Sequence, residues 1–338
     1  MLISVYVPFA VTAVISVLAP RLARRLTPRP AAWALACAAL VTAGGWTGSL
    51  ALLAFTGIAQ IPQVAAEGHW SVAALRAEDP VYAVVAAVSA LVLAASVVSL
   101  GVSALRQARR IARVRRECKA LRGDTELAVV DDDAPLAFAL PGAPGRIVVS
   151  RGMLCCLGDD EREALLAHER AHLRRRHHLF LSLWRLTAAL NPLLRPLAGT
   201  GAYVLERWAD EEAAAQVGDR AVVARAVGRA ALASAGVSRP ALLAATGGEV
   251  PQRVRALLAP PPTRRSLPFL AGAVLLFVCC ASLANAASDS DRMVDSAERA
   301  QCATLLGAAG ATPTGDHRDD PGFCCGPHHR FEEGEHRS

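Results

Sequence analysis

Long uncharged apolar runs alternate with short charged stretches over the first hundred residues, and one more such run returns near residue 270. A helix needs about 20 apolar residues to cross a bilayer. Four segments are read as spans: residues 2–19, the shortest, then a stretch within 31–58, then 81–105 and 267–287. From about residue 124 the pattern changes to short β-like pieces at 127–130, 136–140 and 147–150, separated by turn material such as Pro141-Gly142 and Pro144-Gly145. Asp159 and Asp160 then open a helix, where acids suit the positive end of the helix dipole. Helical patterning continues to Leu258, with expected breaks at Asn191-Pro192, at Gly199 to Gly201 and near Pro240. Pro260, Pro261 and Pro262 mark a linker back to the membrane.

The expected organisation is therefore three membrane helices (1–105), a mostly helical α+β domain (106–266), a fourth membrane helix (267–287) and a tail (288–338). Residues 179–197 are apolar but interrupted by Arg185. A charge at the centre of a span costs at least ~2.5 kcal/mol, so this stretch is read as a helix buried in the domain or lying on the membrane surface. A re-entrant segment is the alternative.

Charge gives the arrangement a direction. Arg21, Arg24, Arg25 and Arg29 follow the first apolar run, and none precedes it, which is the order of an anchor rather than a cleaved leader. The second loop, with Glu67, Arg76, Glu78 and Asp79, is net negative; a dense basic run from Arg106 to Lys119 follows the third span. By the positive-inside bias the first and third loops face the cytoplasm, and the N-terminus, second loop and tail face outward. The basic run is spaced to continue the third helix beyond the membrane as a solvated helix. The net charge of +6 is accounted for by arginines beside membrane segments, so direct nucleic-acid binding is not expected and membrane lipid is. Hydrophobic residues make up 53% of the chain and aromatic ones only 5%, an apolar surplus that the spans absorb. Nine cysteines are scattered without a CxxC pair, and those in apolar runs read as small hydrophobes.

The chemistry concentrates in His168-Glu169-Arg170-Ala171-His172, an HExxH pattern on an expected helix. Positions i and i+4 share a face, so both imidazoles can reach one metal ion. Zinc brings the pKa of a bound water to about 7, and Glu169, beside the first ligand, can take the proton and pass it to the leaving amine. Catalytic zinc takes three protein ligands, and Glu206, on a later helix, can be the third. Asp210 shares its face and can accept the free N–H of a zinc-bound histidine, fixing the ring. The competing reading makes the HExxH helix and the two acids ordinary solvated surface. His177 and His178 are read as substrate contacts or solvated residues, and Tyr203 as a carbonyl-polarising or a packing residue. Residues 147–150 are read as the strand before the HExxH helix; in zinc peptidase folds a substrate strand docks along such an edge, a role that comes from the fold and not from these residues.

HExxH followed by ExxxD, four spans and a domain between the third and fourth resembles the antirepressor family of membrane metallopeptidases, whose best-known members are the β-lactam sensor-transducers. The stretches 137–176 and 191–210 carry the likeness. The chain is also similar to membrane peptidases of the HtpX and CAAX-prenyl-protease type. The resemblance implies a gluzincin fold with one Zn2+ on His168, His172 and Glu206 and Glu169 as catalyst. It also implies a protein substrate, a DNA-binding repressor among the candidates. Lys119 is the sole lysine, so the serine–lysine acylation motif of the β-lactam sensors is absent. The expected function is zinc-dependent endoproteolysis of a cytosolic or membrane-proximal protein. A non-proteolytic transducer with a structural zinc domain is the alternative. The tail, with Cys302, Cys324, Cys325 and four histidines, is expected to be disordered, with metal binding a secondary possibility. Oligomeric state is not legible.

Overall fold

A computed structural model describes residues 3–23, 26–78, 83–120, 125–235, 249–261 and 267–308. Three of its helices are long and apolar enough to cross a membrane: α2 (Pro28–Ala59), α5 (Ala83–Ala120) and α12 (Leu267–Ala308). The first expected span is α1 (Val7–Ala23), apolar but only 17 residues long. It packs against α2 and α12, burying Val11 and Ile15. Pro28 at the first turn of α2 suits a position whose N–H has no partner within the helix. Two short helices, α3 (Pro62–Gly68) and α4 (Val72–Glu78), occupy the second loop, where periodicity gave no signal.

Helix α5 runs without a break from its apolar stretch through the basic one, as its spacing predicts. A three-stranded sheet follows: β1 (Leu127–Val130), β2 (Ala137–Leu140) and β3 (Arg146–Ser150), in the order β1-β3-β2. β3 pairs parallel with β1 and antiparallel with β2 and is buried throughout. The expectation that residues 147–150 form an edge is therefore corrected. β3 is the central strand, because its unbroken apolar run suits burial on both sides, and β2 takes an edge.

The helices that follow are α6 (Arg151–Cys155), α7 (Asp159–Arg174), α8 (His177–Leu190), a 3-10 turn (Pro192–Leu194), α9 (Arg195–Val217), α10 (Arg220–Ala235) and α11 (Glu249–Leu258). Asn191 ends α8 and caps the 3-10 turn, its side chain accepting from the Leu193 N–H at 3.1 Å. The expected break at Gly199 to Gly201 does not occur; α9 runs through it. Gly201 is there for close approach, since a Cβ would lie 2.5 Å from the buried Trp184 ring. The expectation near Pro240 lies outside the described residues. The tail is corrected in part: α12 continues past residue 288 to Ala308, and the cysteines and histidines beyond it lie outside the described residues.

One apolar cluster joins Val11, Ile15, Leu35 and Ala39 of α1 and α2 to Phe180, Trp184, Leu197, Val204 and Trp208 of α8 and α9. The run at 179–197 is thus packed against the membrane helices. A second cluster holds α7, α9, α10 and α11 together through Ala164, Ala167, Ala213, Val223 and Leu257.

Candidate metal centre

The site depends on how closely α7 and α9 approach each other. Ala164, Ala167 and Ala171 on α7 and Ala209 and Ala213 on α9 are all almost fully buried. Side chains this small let the backbones come together, so the longer residues between them meet. His168 and His172 project from α7 and Glu206 from α9. Their candidate ligand atoms all lie within 4.8 Å of one another. The two Nε2 atoms are 3.1 Å apart, and each is 3.5 Å from a different oxygen of Glu206. Two imidazoles and a carboxylate converging on one point fit the donor set of a catalytic zinc site.

Around this set lie residues that hold it. Asp210, one turn beyond Glu206 and only 2% exposed, places Oδ1 3.0 Å from His168 Nδ1. Arg253 reaches in from α11 and grips Asp210 with two bonds, Nε to Oδ2 at 2.8 Å and Nη2 to Oδ1 at 2.7 Å. Its Nη1 lies 2.9 Å from Glu206 Oε2. One guanidinium thus fixes Glu206 and Asp210 together, a task to which its planar fork is suited. On the other side, His177 Nδ1 is 2.9 Å from His172 Nδ1. The chain reverses at Arg176, whose φ of 51° is left-handed, and this returns His177 from the start of α8 onto α7.

The charges follow from this packing. Burial opposes a charge on His168, but Asp210 and Glu206 outweigh it and raise its pKa to about 10. Burial likewise works against Glu206, yet His168, Arg253 and His172 hold its carboxyl well below the usual range. Asp210 is held low by Arg253 and His168 despite burial. His172 is pushed down to about 4 by burial and by His168. Glu169 goes the other way. Burial raises its carboxyl and Glu206 adds to the rise, against the opposing pull of His168 and of the Ala139 amide.

That amide places β2 at the site. Ile147 N–H is taken by Glu126 on the β1 side at 2.8 Å, so its partner Ala139 turns its own N–H toward the open edge. There it donates to the Glu169 carboxylate. The edge beside the HExxH helix is β2.

Sequence reasoning identified His168, Glu169, His172, Glu206 and Asp210, and the fold brings all five together. Tyr203 is buried in the cluster with Trp184 and Trp208, which is the packing role. His178 is outside the ligand set. His177 was considered only as a substrate contact or a solvated residue; it is 1% exposed and supports His172. Arg253 was missed, since nothing separates it in sequence from thirty-four other arginines.

A family model described as Peptidase family M48 matches residues 104–245, which include every residue of the metal set. A 53-residue stretch is 49% identical to the mitochondrial metalloendopeptidase OMA1 of Schizosaccharomyces pombe (strain 972 / ATCC 24843). That match covers 15% of this chain and 15% of the relative, so the chain spans only a small part of the curated relative's length. No solved structure matches at a significant level.

Proposed function

We propose that this chain is an integral-membrane zinc endopeptidase that cleaves a cytosolic or membrane-proximal protein. The observation that carries the reading is the convergence of His168, His172 and Glu206 on one point beside a buried Glu169. The M48 match over the same residues supports it. Zinc held by those three side chains would polarise the scissile carbonyl and acidify a water. The rest falls to the chain itself. Glu169, with its affinity for protons raised by burial, accepts the proton of the attacking water and returns it to the leaving amine nitrogen. Asp210 and His177 orient the two imidazoles, and Arg253 keeps Glu206 and Asp210 in register. A substrate strand adds to the edge of β2, pairing with outward backbone groups of that strand other than the Ala139 N–H, which Glu169 holds.

The likeness to antirepressor peptidases makes a DNA-binding repressor the first substrate to test. Glu169→Gln keeps the size of the side chain and all three ligands but removes the base. Cleavage, followed as self-processing or as loss of the repressor in cells at matched expression, should fall about 10²–10⁴-fold. Zinc content by elemental analysis should stay near that of the wild type. Processing at the wild-type rate would refute proteolysis through Glu169 and leave the non-proteolytic transducer.

A further inference from the structure

Where α5 passes from its apolar stretch to its basic one it lies against α8. Together with the start of α9 these helices bound an open cleft of about 540 Å³. Arg106 and Arg110 line it from α5, Arg185 from α8 and Arg195 from α9. No carboxylate lines it, and none of the four guanidinium groups has an ion pair or hydrogen bond among the described residues. That is unlike five arginines nearer the metal set: Arg162, Arg170, Arg175, Arg220 and Arg253 each face a carboxylate. Four like charges gathered on one cleft repel unless an anion sits among them. Arginine forks match phosphate oxygens, and Ser103 and Gln107 in the lining add hydrogen-bonding groups.

The depth of the cleft narrows the choice of anion. It spans residues 99–110 of α5, and the uncharged stretch of that helix ends at Leu105, so the arginines sit at headgroup level. Val98, Val102 and Leu105, at i, i+4 and i+7, are 64%, 42% and 52% exposed and form an apolar stripe leading out of the cleft along α5. A soluble phosphate would leave that stripe uncovered. A phospholipid fills both parts.

We propose that this cleft binds the phosphate of an anionic phospholipid, with an acyl chain laid along the Val98, Val102 and Leu105 stripe. The lipid then ties α5 to α8 and α9, and Arg185, unexplained as an interruption of an apolar run, becomes a headgroup ligand. The site rests on membrane insertion of α5 and is independent of whether the metal set is catalytic.

The test uses the full-length protein in neutral detergent. It is titrated with phosphatidylglycerol, with phosphatidylcholine of the same chain length, and with inorganic phosphate, and binding is read by native mass spectrometry. Phosphatidylglycerol should bind at one molecule per chain and phosphatidylcholine at least about ten-fold more weakly, for want of net negative charge. Arg185→Gln with Arg195→Gln leaves the basic residues of α5 in place and should weaken phosphatidylglycerol roughly thirty-fold. Zinc content and the detergent melting temperature should not change, because neither side chain has a partner among the described residues. Should that double variant misfold, Arg185→Lys with Arg195→Lys keeps the charges, loses the forks and should bind with intermediate affinity. Equal affinity in wild type and a folded variant, or equal binding of phosphatidylcholine, overturns the proposal. So does displacement by inorganic phosphate, which would assign the cleft to a soluble anion.

Discussion

A histidine that offers its Nε2 lone pair to a metal carries its proton on Nδ1, and that proton needs an acceptor. For His168 the acceptor at hand is Asp210, whose Oδ1 lies 3.0 Å from Nδ1. For His172 it is the Nδ1 of His177, which must then hold its own proton on Nε2, buried and without a hydrogen-bond partner among the described residues. Burial, reinforced by His172, keeps His177 neutral by pushing its pKa down to about 3. His177→Phe fills similar space but removes the acceptor. Zinc affinity, measured by competition with a chelator, should drop about 10–100-fold, and His177→Asn, which restores an acceptor, should recover part of it. Equal affinity in the phenylalanine variant would refute the role. His168, His172, Glu206 and Asp210 were legible because i, i+4 spacing puts two ligating side chains on one helical face. His177 was not, since five residues separate it from His172 and only the left-handed turn at Arg176 brings it back. Arg253 was hidden for a different reason: its partners are over forty residues away in sequence.

At the scale of elements, the position of Glu206 depends on how α9 lies on α8, and Gly201 is a point of close approach in that contact. Gly201→Val would put a Cβ and its two methyl groups where the Trp184 ring already stands. Overpacking of this kind costs about 1–3 kcal/mol, read as a lowered melting temperature in detergent, and zinc affinity should fall with it as α9 is displaced. Trp184→Leu makes room, so the double variant should lose less than the two single changes combined. Strict additivity would mean that the two residues do not share the contact. Sequence reading took Gly199 to Gly201 as a break because glycine disfavours helix interiors; the compensating ring on α8 is not visible in a local pattern. The strands were legible from their apolar runs and turn residues. Their order was not, because pairing is decided between segments, and so the edge was assigned to the wrong strand.

For the whole molecule, the apolar runs revealed α2 nearly to its ends, the apolar parts of α5 and α12, whose helices run on to Ala120 and Ala308, and α1 as a shorter helix, since the apolar length that crosses a bilayer is fixed by its thickness. The direction of insertion rests on arginine bias and can be checked in a background cleared of the nine native cysteines. A thiol placed near Gly68 should react with an impermeant reagent on intact cells, and one near Gly123 only after lysis. Labelling of the Gly123 thiol from outside would reverse the arrangement. What sequence could not convey is that the domain and the membrane helices share one core. Phe180, Trp184, Leu194 and Leu197 pack on residues of α1 and α2, and the same cluster extends through Trp208 to within two residues of Glu206. A fragment trimmed to residues 106–266 would leave that apolar face bare and aggregate before it could be assayed. Inhibitor discovery and enzymology on this chain therefore have to begin from the intact protein in a lipid or detergent shell.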